Sequence, residues 1–126
     1  MKKRWNITIV IVDPVNTMTN IFVFGSNLAG RHGAGAAKYA RENYGAVYGD
    51  GQGRTGDAYA IATKGVRLEV LPLDLIGQYI KEFVEYATEH PKNTFLLTPI
   101  GTGLAGYSKI QIFNLIRSCS PIPSNI

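Results

Sequence analysis

The stretch from residue 21 to residue 45 constrains the fold of this chain most strongly. Its apolar start, Ile21–Phe24, is typical of a buried strand because its residues are β-branched or aromatic and a glycine follows. A helical pattern then runs from about residue 33 to residue 44 and ends at Gly45, which suits the left-handed position after a helix. Between strand and helix lies a loop rich in glycine, with Gly25, Gly30, Gly33 and Gly35.

A strand, a glycine-rich loop and a helix in this order predict a phosphate cradle. Glycines let the backbone approach an anion, and the free N–H groups of the first helical turn point towards it. Ser26 and Asn27 add side-chain hydrogen-bonding groups at the carboxyl end of the strand, where ligands of α/β proteins bind. His32 either contacts the anion or is an ordinary exposed polar residue.

A second unit of the same construction lies near the end of the sequence. Residues 94–98 predict a buried strand, and Ser108 with Gln111 predicts a capping box that opens a final helix over about 108–118. Thr102 offers a hydroxyl group and Tyr107 an aromatic face. The loop between strand and helix reads Gly101, Thr102, Gly103, Leu104, Ala105, Gly106 and Tyr107.

The second loop contains a GxGxxG motif, but its context excludes a Rossmann dinucleotide site. Only twenty residues follow Gly106, and none of them is acidic, so no carboxylate can bind the ribose. A P-loop is excluded because no Gly-Lys-Ser/Thr triplet follows either loop. Either loop could be merely a tight turn, but two loops of matching construction favour a shared ligand with a diphosphate.

Composition describes an ordinary globular chain. Its 126 residues, 45% apolar and 17% charged, suit a single domain over residues 1–126, with an irregular segment at 119–126. The net charge of +4 is compatible with an anionic ligand or nucleic acid, and a solvated surface explains it equally well. The single cysteine, Cys119, excludes an intramolecular disulfide and favours a cytoplasmic setting.

The sequence predicts no membrane span, metal site or cofactor. No apolar stretch approaches the roughly 18 residues that a transmembrane helix needs, and no Cys/His cluster has metal-ligand spacing.

The remaining segments predict an α/β domain. Trp5–Val12, rich in Ile and Val, predicts a first strand buried on both faces, as in a mainly parallel sheet. Gly49–Gly56 predicts a mobile surface loop, and Tyr59–Thr63 predicts a further strand. Asp74 predicts the N-cap of the longest helix. The core positions of that helix recur every three or four residues: Ile76, Tyr79, Ile80, Phe83, Val84 and Ala87.

With both loops considered together, the chain resembles a macro domain, the fold that binds ADP-ribose. Gly25-Ser26-Asn27 and the glycine cluster up to Ala37 are similar to the first loop of that family, and Pro99–Tyr107 resembles its second loop. The similarity spans roughly residues 20–117 and is strongest to a divergent macro-like branch of bacteria and phages. It implies a three-layer α/β/α fold with a mixed, mainly parallel sheet.

The resemblance also implies a ligand. The second loop would bind the diphosphate and the distal ribose, while Gly33, Ala34 and Gly35 would contact phosphate from the other side. Asn27 matches the asparagine that lies near the distal ribose in hydrolytic members. We therefore expect binding of ADP-ribose or a related nucleotide diphosphate. If the protein is an enzyme, it would hydrolyse an ADP-ribosyl derivative with Asn27 positioning the water.

Two other functions stay open at this point. One is a protein that binds nucleic acid or RNA ends through the same loops and the basic N-terminus. The other is a phage or bacterial interaction protein that binds no such ligand.

Overall fold

The computed structural model describes residues 19–102 and 105–126, and a mixed sheet of four strands lies at the centre of this part of the chain. The strands lie in the spatial order β2-β3-β1-β4. β1 runs parallel to both β3 and β4, and β2 is antiparallel to β3. The predicted strand at Trp5–Val12 lies outside the described residues. In chain order the elements are β1 (Asn20–Asn27), α1 (Gly35–Asn43), β2 (Gly53–Thr55), β3 (Ala58–Lys64), α2 (Leu73–Glu89), β4 (Thr94–Leu97) and α3 (Lys109–Arg117).

Helices cover both faces of the sheet, which makes a three-layer α/β/α domain. Side chains alternate along β1 with the two-residue period of a strand, so that Val23 and Phe24 belong to different core clusters. On the Phe24 face, Ala37 and Ala40 of α1 pack against small side chains of β3. The other face carries the larger core with α2 and α3, which includes Ile21, Ile61, Ile76, Ile80, Phe83, Phe95 and Ile112.

Helix α2 confirms the predicted core positions. Ile76, Ile80, Phe83, Val84 and Ala87 are buried, and Tyr79 packs partly buried against the same cluster. Within the ranges that the structure describes, no helix is both long and apolar enough to cross a bilayer.

The predicted N-cap of α2 was wrong. Pro72, with φ −67° and ψ 153°, takes the N-cap position instead of Asp74. The proline ring already holds φ near the value that the extended cap residue needs, so the helix begins two residues earlier than a side-chain cap would set it. The Asp74 carboxylate accepts a hydrogen bond from the Leu75 N–H, at 3.0 Å.

Two segments that were predicted as loops contain strand residues. Gly53–Thr55 forms β2 and pairs with β3 across a turn at Gly56 and Asp57, so the prediction of a mobile loop over Gly49–Gly56 was wrong for this part. β1 does not stop at Gly25 but continues to Asn27, because β3 provides hydrogen-bonding partners as far as Lys64. The error in β1 arises from pairing with a strand that is distant in sequence, whereas β2 is joined to β3 by a short local turn.

Asn125 ties the irregular segment 119–126 to the sheet and to α2 through its backbone and its side chain. The Asn125 carbonyl oxygen accepts a hydrogen bond from the Phe95 N–H of β4, at 2.7 Å. The Asn125 Nδ2 lies 3.0 Å from each of three carbonyl oxygens at and beyond the end of α2, those of Ala87, His90 and Asn93. This segment therefore joins β4 to the C-terminal end of α2.

Candidate functional site

The two predicted ligand loops lie side by side at one edge of the sheet. β1 and β4 are parallel neighbours, so their carboxyl ends point to the same edge. β1 leads into the first loop (residues 28–34), and β4 leads into the second loop (residues 98–107). A Cβ atom at Gly25 would lie 3.4 Å from the Gly101 amide nitrogen and 3.6 Å from the Ile100 Cα. Gly25, Ser26 and Asn27 are thus strand residues, and Gly25 borders the second loop.

The glycines of this edge fall into two groups. A Cβ atom at Gly33, Gly35 or Gly106 would meet no described atom within 4 Å, so these three positions face open space. At Gly30 a Cβ atom would overlap the backbone of Gly49, and at Gly101 it would lie 3.0 Å from the Cδ1 of Ile112. The second group is therefore required by packing, whereas the first leaves the backbone accessible to a ligand.

The two helices differ in what their first N–H groups contact. α1 begins at Gly35, two residues later than predicted, and its N-cap Ala34 provides no side-chain hydrogen bond. Its first turn has no acidic residue, and residues 33–36 are exposed. At α3 the predicted capping box is confirmed, because Ser108 Oγ accepts from the Gln111 N–H and Gln111 Oε1 accepts from the Ser108 N–H. The start of α1 is thus the more available anion site.

His32 is buried beneath the first loop, with 0% of its surface exposed. Its Nε2 lies 3.3 Å from Ser26 Oγ, and its ring packs edge-on against Phe24 with 5.3 Å between centroids. No well-formed hydrogen bond reaches its Nδ1. The interpretation of His32 as an exposed polar residue was therefore wrong, because the loop folds back and places the ring over an aromatic core residue. Contact between His32 and a ligand stays a prediction.

The buried imidazole gives a testable pH dependence. Burial lowers the pKa of His32, and the positive charge of Arg41 lowers this pKa further, while the charge and the backbone of Asp50 raise it by less. In the unfolded chain the same imidazole has its ordinary pKa of about 6.5 and takes up a proton below that pH. Because the unfolded state then binds more protons, the free energy of unfolding rises with pH in this window. We expect it to be level above about pH 7 and to fall as the pH drops from about 6.5 towards the folded-state pKa.

Urea denaturation of the native chain and of His32→Gln at several pH values measures this effect. The variant should lose the fall in stability below about pH 6.5, because it removes the buried imidazole. An unchanged pH dependence in His32→Gln would contradict the prediction.

The other predicted side chains are engaged in the scaffold of the loops. Asn27 Oδ1 accepts from the Arg31 N–H at 2.9 Å, and Asn27 Nδ2 donates to the Arg31 carbonyl oxygen at 3.0 Å. Thr102 Oγ1 donates to the Pro99 carbonyl oxygen at 2.7 Å. Tyr107 OH donates to the Leu71 carbonyl oxygen at 2.6 Å. Asn27 and Thr102 thus shape their own loops, and Tyr107 ties the second loop to the segment before α2. A water-positioning role for Asn27 stays a prediction.

Within the second loop, Ala105 is half-buried and Gly106 is exposed. Gly103 and Leu104, which the sequence also assigns to the ligand site, lie outside the described residues.

The sequence did not predict that residues 49–51 pack against the first loop and the end of β1. The Gly49 N–H donates to the Gly30 carbonyl oxygen at 2.8 Å. Gly51 packs so closely that a Cβ atom there would overlap the Asn27 carbonyl oxygen. The glycine density of residues 49–56 was the available signal, because glycines are needed where two backbones approach each other.

Among the residues that the structure describes, no group of three or more His, Cys, Asp or Glu side chains could hold a metal ion.

Comparison with known proteins shows a similarity of fold to a solved structure. No family model matches the sequence, and no curated protein matches it. A solved structure of a protein of unknown function from Bacteroides thetaiotaomicron is similar to this chain, with a TM-score of 0.53 and 16% sequence identity. The match covers 84% of this chain and 83% of that one. The chain therefore shares the small α/β architecture of that protein.

Proposed function

We propose that this protein binds ADP-ribose or a related nucleotide diphosphate across the two loops. The observation that carries the proposal is the close approach of β1 to the second loop at Gly25 and Gly101, with glycines facing open space on both sides of it. Gly33 and Gly35 lie on one side, and Gly106 lies on the other. Two neighbouring phosphates could therefore each approach a backbone free of side chains.

The charge around the first loop supports an anionic ligand. The N-terminal end of α1 carries the positive end of the helix dipole and has no side-chain cap. Arg31 is exposed in the same loop, and Lys64 pairs with Asn27 at the carboxyl end of β3. These cations raise the local concentration of a diphosphate without holding it in one position.

Binding is a better-supported function than hydrolysis. Both polar groups of the Asn27 side chain already contact the Arg31 backbone, so a role in positioning water would compete with closing the loop. The start of α1, by contrast, has no side-chain cap and is exposed, so its first amides can contact a phosphate group.

Calorimetric titration with ADP-ribose tests the proposal, using Gly33→Glu as the main variant. Position 33 has open space and needs no positive φ, so the new carboxylate should leave the fold intact and repel the ligand. We expect native binding and a loss of at least about tenfold in affinity, equivalent to about 1.4 kcal/mol. Gln78→Glu adds the same charge at an exposed position of α2, and this control should bind ADP-ribose like the native chain.

The same titrations distinguish a nucleotide site from a nucleic-acid site. If lysine and arginine side chains of the protein neutralise several phosphates of a bound RNA, the affinity should fall steeply with salt, whereas binding through backbone amides gives a weaker dependence. A measurable heat of binding with a short RNA, together with none for ADP-ribose, would contradict the proposal. So would equal ADP-ribose affinity in Gly33→Glu and in the native chain.

A further inference from the structure

An apolar cavity of about 500 Å³ lies beside the second loop. Its lining comes from the last residue of β4, from the second loop and from α3. The apolar residues used below are Leu97, Pro99, Ile110 and Phe113, and the polar ones are Thr102 and Lys109. Its volume falls in the range of small-molecule sites, which are mostly apolar with a few polar groups.

Two large side chains of this cavity are left exposed. Ile110 is 72% exposed and Phe113 is 56% exposed. They lie three residues apart on α3 and therefore on the same side of the helix. The guanidinium of Arg117 lies 5.7 Å from the centroid of the Phe113 ring. This side of α3 thus offers an aromatic ring and an aliphatic side chain to an occupant.

The cavity is continuous with the proposed phosphate site. Pro99 and Thr102 belong to the second loop and also line the cavity. Beneath them, a Cβ atom at Gly101 would touch Ile112, another lining residue, at 3.0 Å. Lys109 is the first residue of α3, so its ammonium group adds a positive charge to the lining. An occupant that joins an apolar group to a phosphate complements this combination of surfaces.

We propose that this cavity binds the planar base of a nucleotide whose phosphates lie on the two glycine loops. The inference rests on the proposed function, which leaves the position of the base open, and it assigns the base to this cavity. The lining residues with polar side chains are Thr102 and Lys109, so few groups read the hydrogen-bonding pattern of a base. Selection is therefore by shape and apolar contact, and adenine and guanine nucleotides bind with affinities within about tenfold of each other.

Phe113→Ser and Ile110→Ser test this assignment, with ADP-ribose and ribose 5-phosphate as the two probes. Both side chains are exposed, so their removal should leave the fold intact. We expect each variant to lose at least about tenfold in affinity for ADP-ribose and to keep the native affinity for ribose 5-phosphate, because only the former carries a base. The control Val66→Ser removes an apolar side chain that is 63% exposed and lies outside the cavity, and it should change neither affinity.

The failures of the two proposals are distinguishable. Native ADP-ribose affinity in both serine variants, with loss in Gly33→Glu, would overturn the position of the base and leave nucleotide binding intact. An equal loss for both probes in the serine variants would also overturn it, since the cavity would then act on the phosphate site. No binding of either probe by the native chain would overturn both proposals. As a direct measurement, nuclear Overhauser contacts should join the base protons of ADP-ribose to the Ile110 methyl groups, and their absence in a saturated complex would contradict the assignment.

Discussion

Gly51→Ala should lower the free energy of unfolding by about 3 kcal/mol or more, although it adds only one methyl group. The new Cβ atom would overlap the Asn27 carbonyl oxygen and lie 2.8 Å from the Asn27 carbonyl carbon and 2.9 Å from the Leu28 Cα. These are backbone atoms, which cannot move aside as a flexible side chain can. Asn27 is tied to Arg31 through its side chain, and the Leu28 N–H donates to the Lys64 carbonyl oxygen at 2.9 Å. Relief of the overlap therefore breaks the junction between β1 and the first loop.

Chemical denaturation of Gly51→Ala and Gly33→Ala provides a matched pair of glycine substitutions. Position 33 has no described atom within 4 Å of a Cβ and needs no positive φ, so this variant should lie within about 0.5 kcal/mol of the native chain. If Gly51→Ala were as stable as Gly33→Ala, this result would contradict the close packing of residue 51 against the Asn27 backbone. Because Gly51 supports the first loop, Gly51→Ala should also weaken ADP-ribose binding at temperatures where the variant is folded.

Phe83→Ala should cost about 3–5 kcal/mol, the range measured for truncating a buried aromatic side chain. Phe83 is fully buried at the centre of the larger core. Its ring centroid lies 5.1 Å from that of Tyr59 on β3 and 5.4 Å from that of Phe95 on β4. Removing the ring leaves a cavity between α2 and two strands, which neighbouring aromatic rings cannot fill without moving the sheet.

Thermal denaturation checks this prediction, with Tyr79→Ala as the control on the same helix. Tyr79 is only partly buried, so its truncation should cost clearly less. If Phe83→Ala lost no more thermal stability than Tyr79→Ala, the core would not be centred on the Phe83 ring. Loss of ligand binding in Phe83→Ala would be expected only where the chain is unfolded, because Phe83 belongs to the core rather than to the site edge.

The features that local rules govern were predicted well from the sequence. The three- and four-residue spacing of α2 identified its buried face, because that spacing is a property of the helix itself. The Ser108–Gln111 capping box formed as predicted, since both partners lie within one helical turn. Gly45 follows α1 with φ 73°, as its position after the helical pattern indicated.

The features that depend on distant residues were missed. β1 continues past Gly25 because β3 pairs with it as far as Lys64, and the sequence of β1 does not show this partner. His32 is buried because its loop folds over Phe24, and a loop sequence does not show which of its side chains points inward. The support given by Gly51 to Asn27 joins segments more than twenty residues apart. In each case the deciding contact is tertiary.

By itself the sequence determined an α/β domain with two strand–loop–helix units, because hydrophobic period, turn residues and caps act over a few neighbouring positions. Only the tertiary structure decided that β1 meets the second loop at Gly25 and Gly101, and that Gly33, Gly35 and Gly106 face open space while Gly30 and Gly51 are packed against backbone. All of these positions are the same residue in the sequence. What separates an accessible glycine from a structural one is the neighbour that the fold brings against it, and that neighbour lies elsewhere in the sequence.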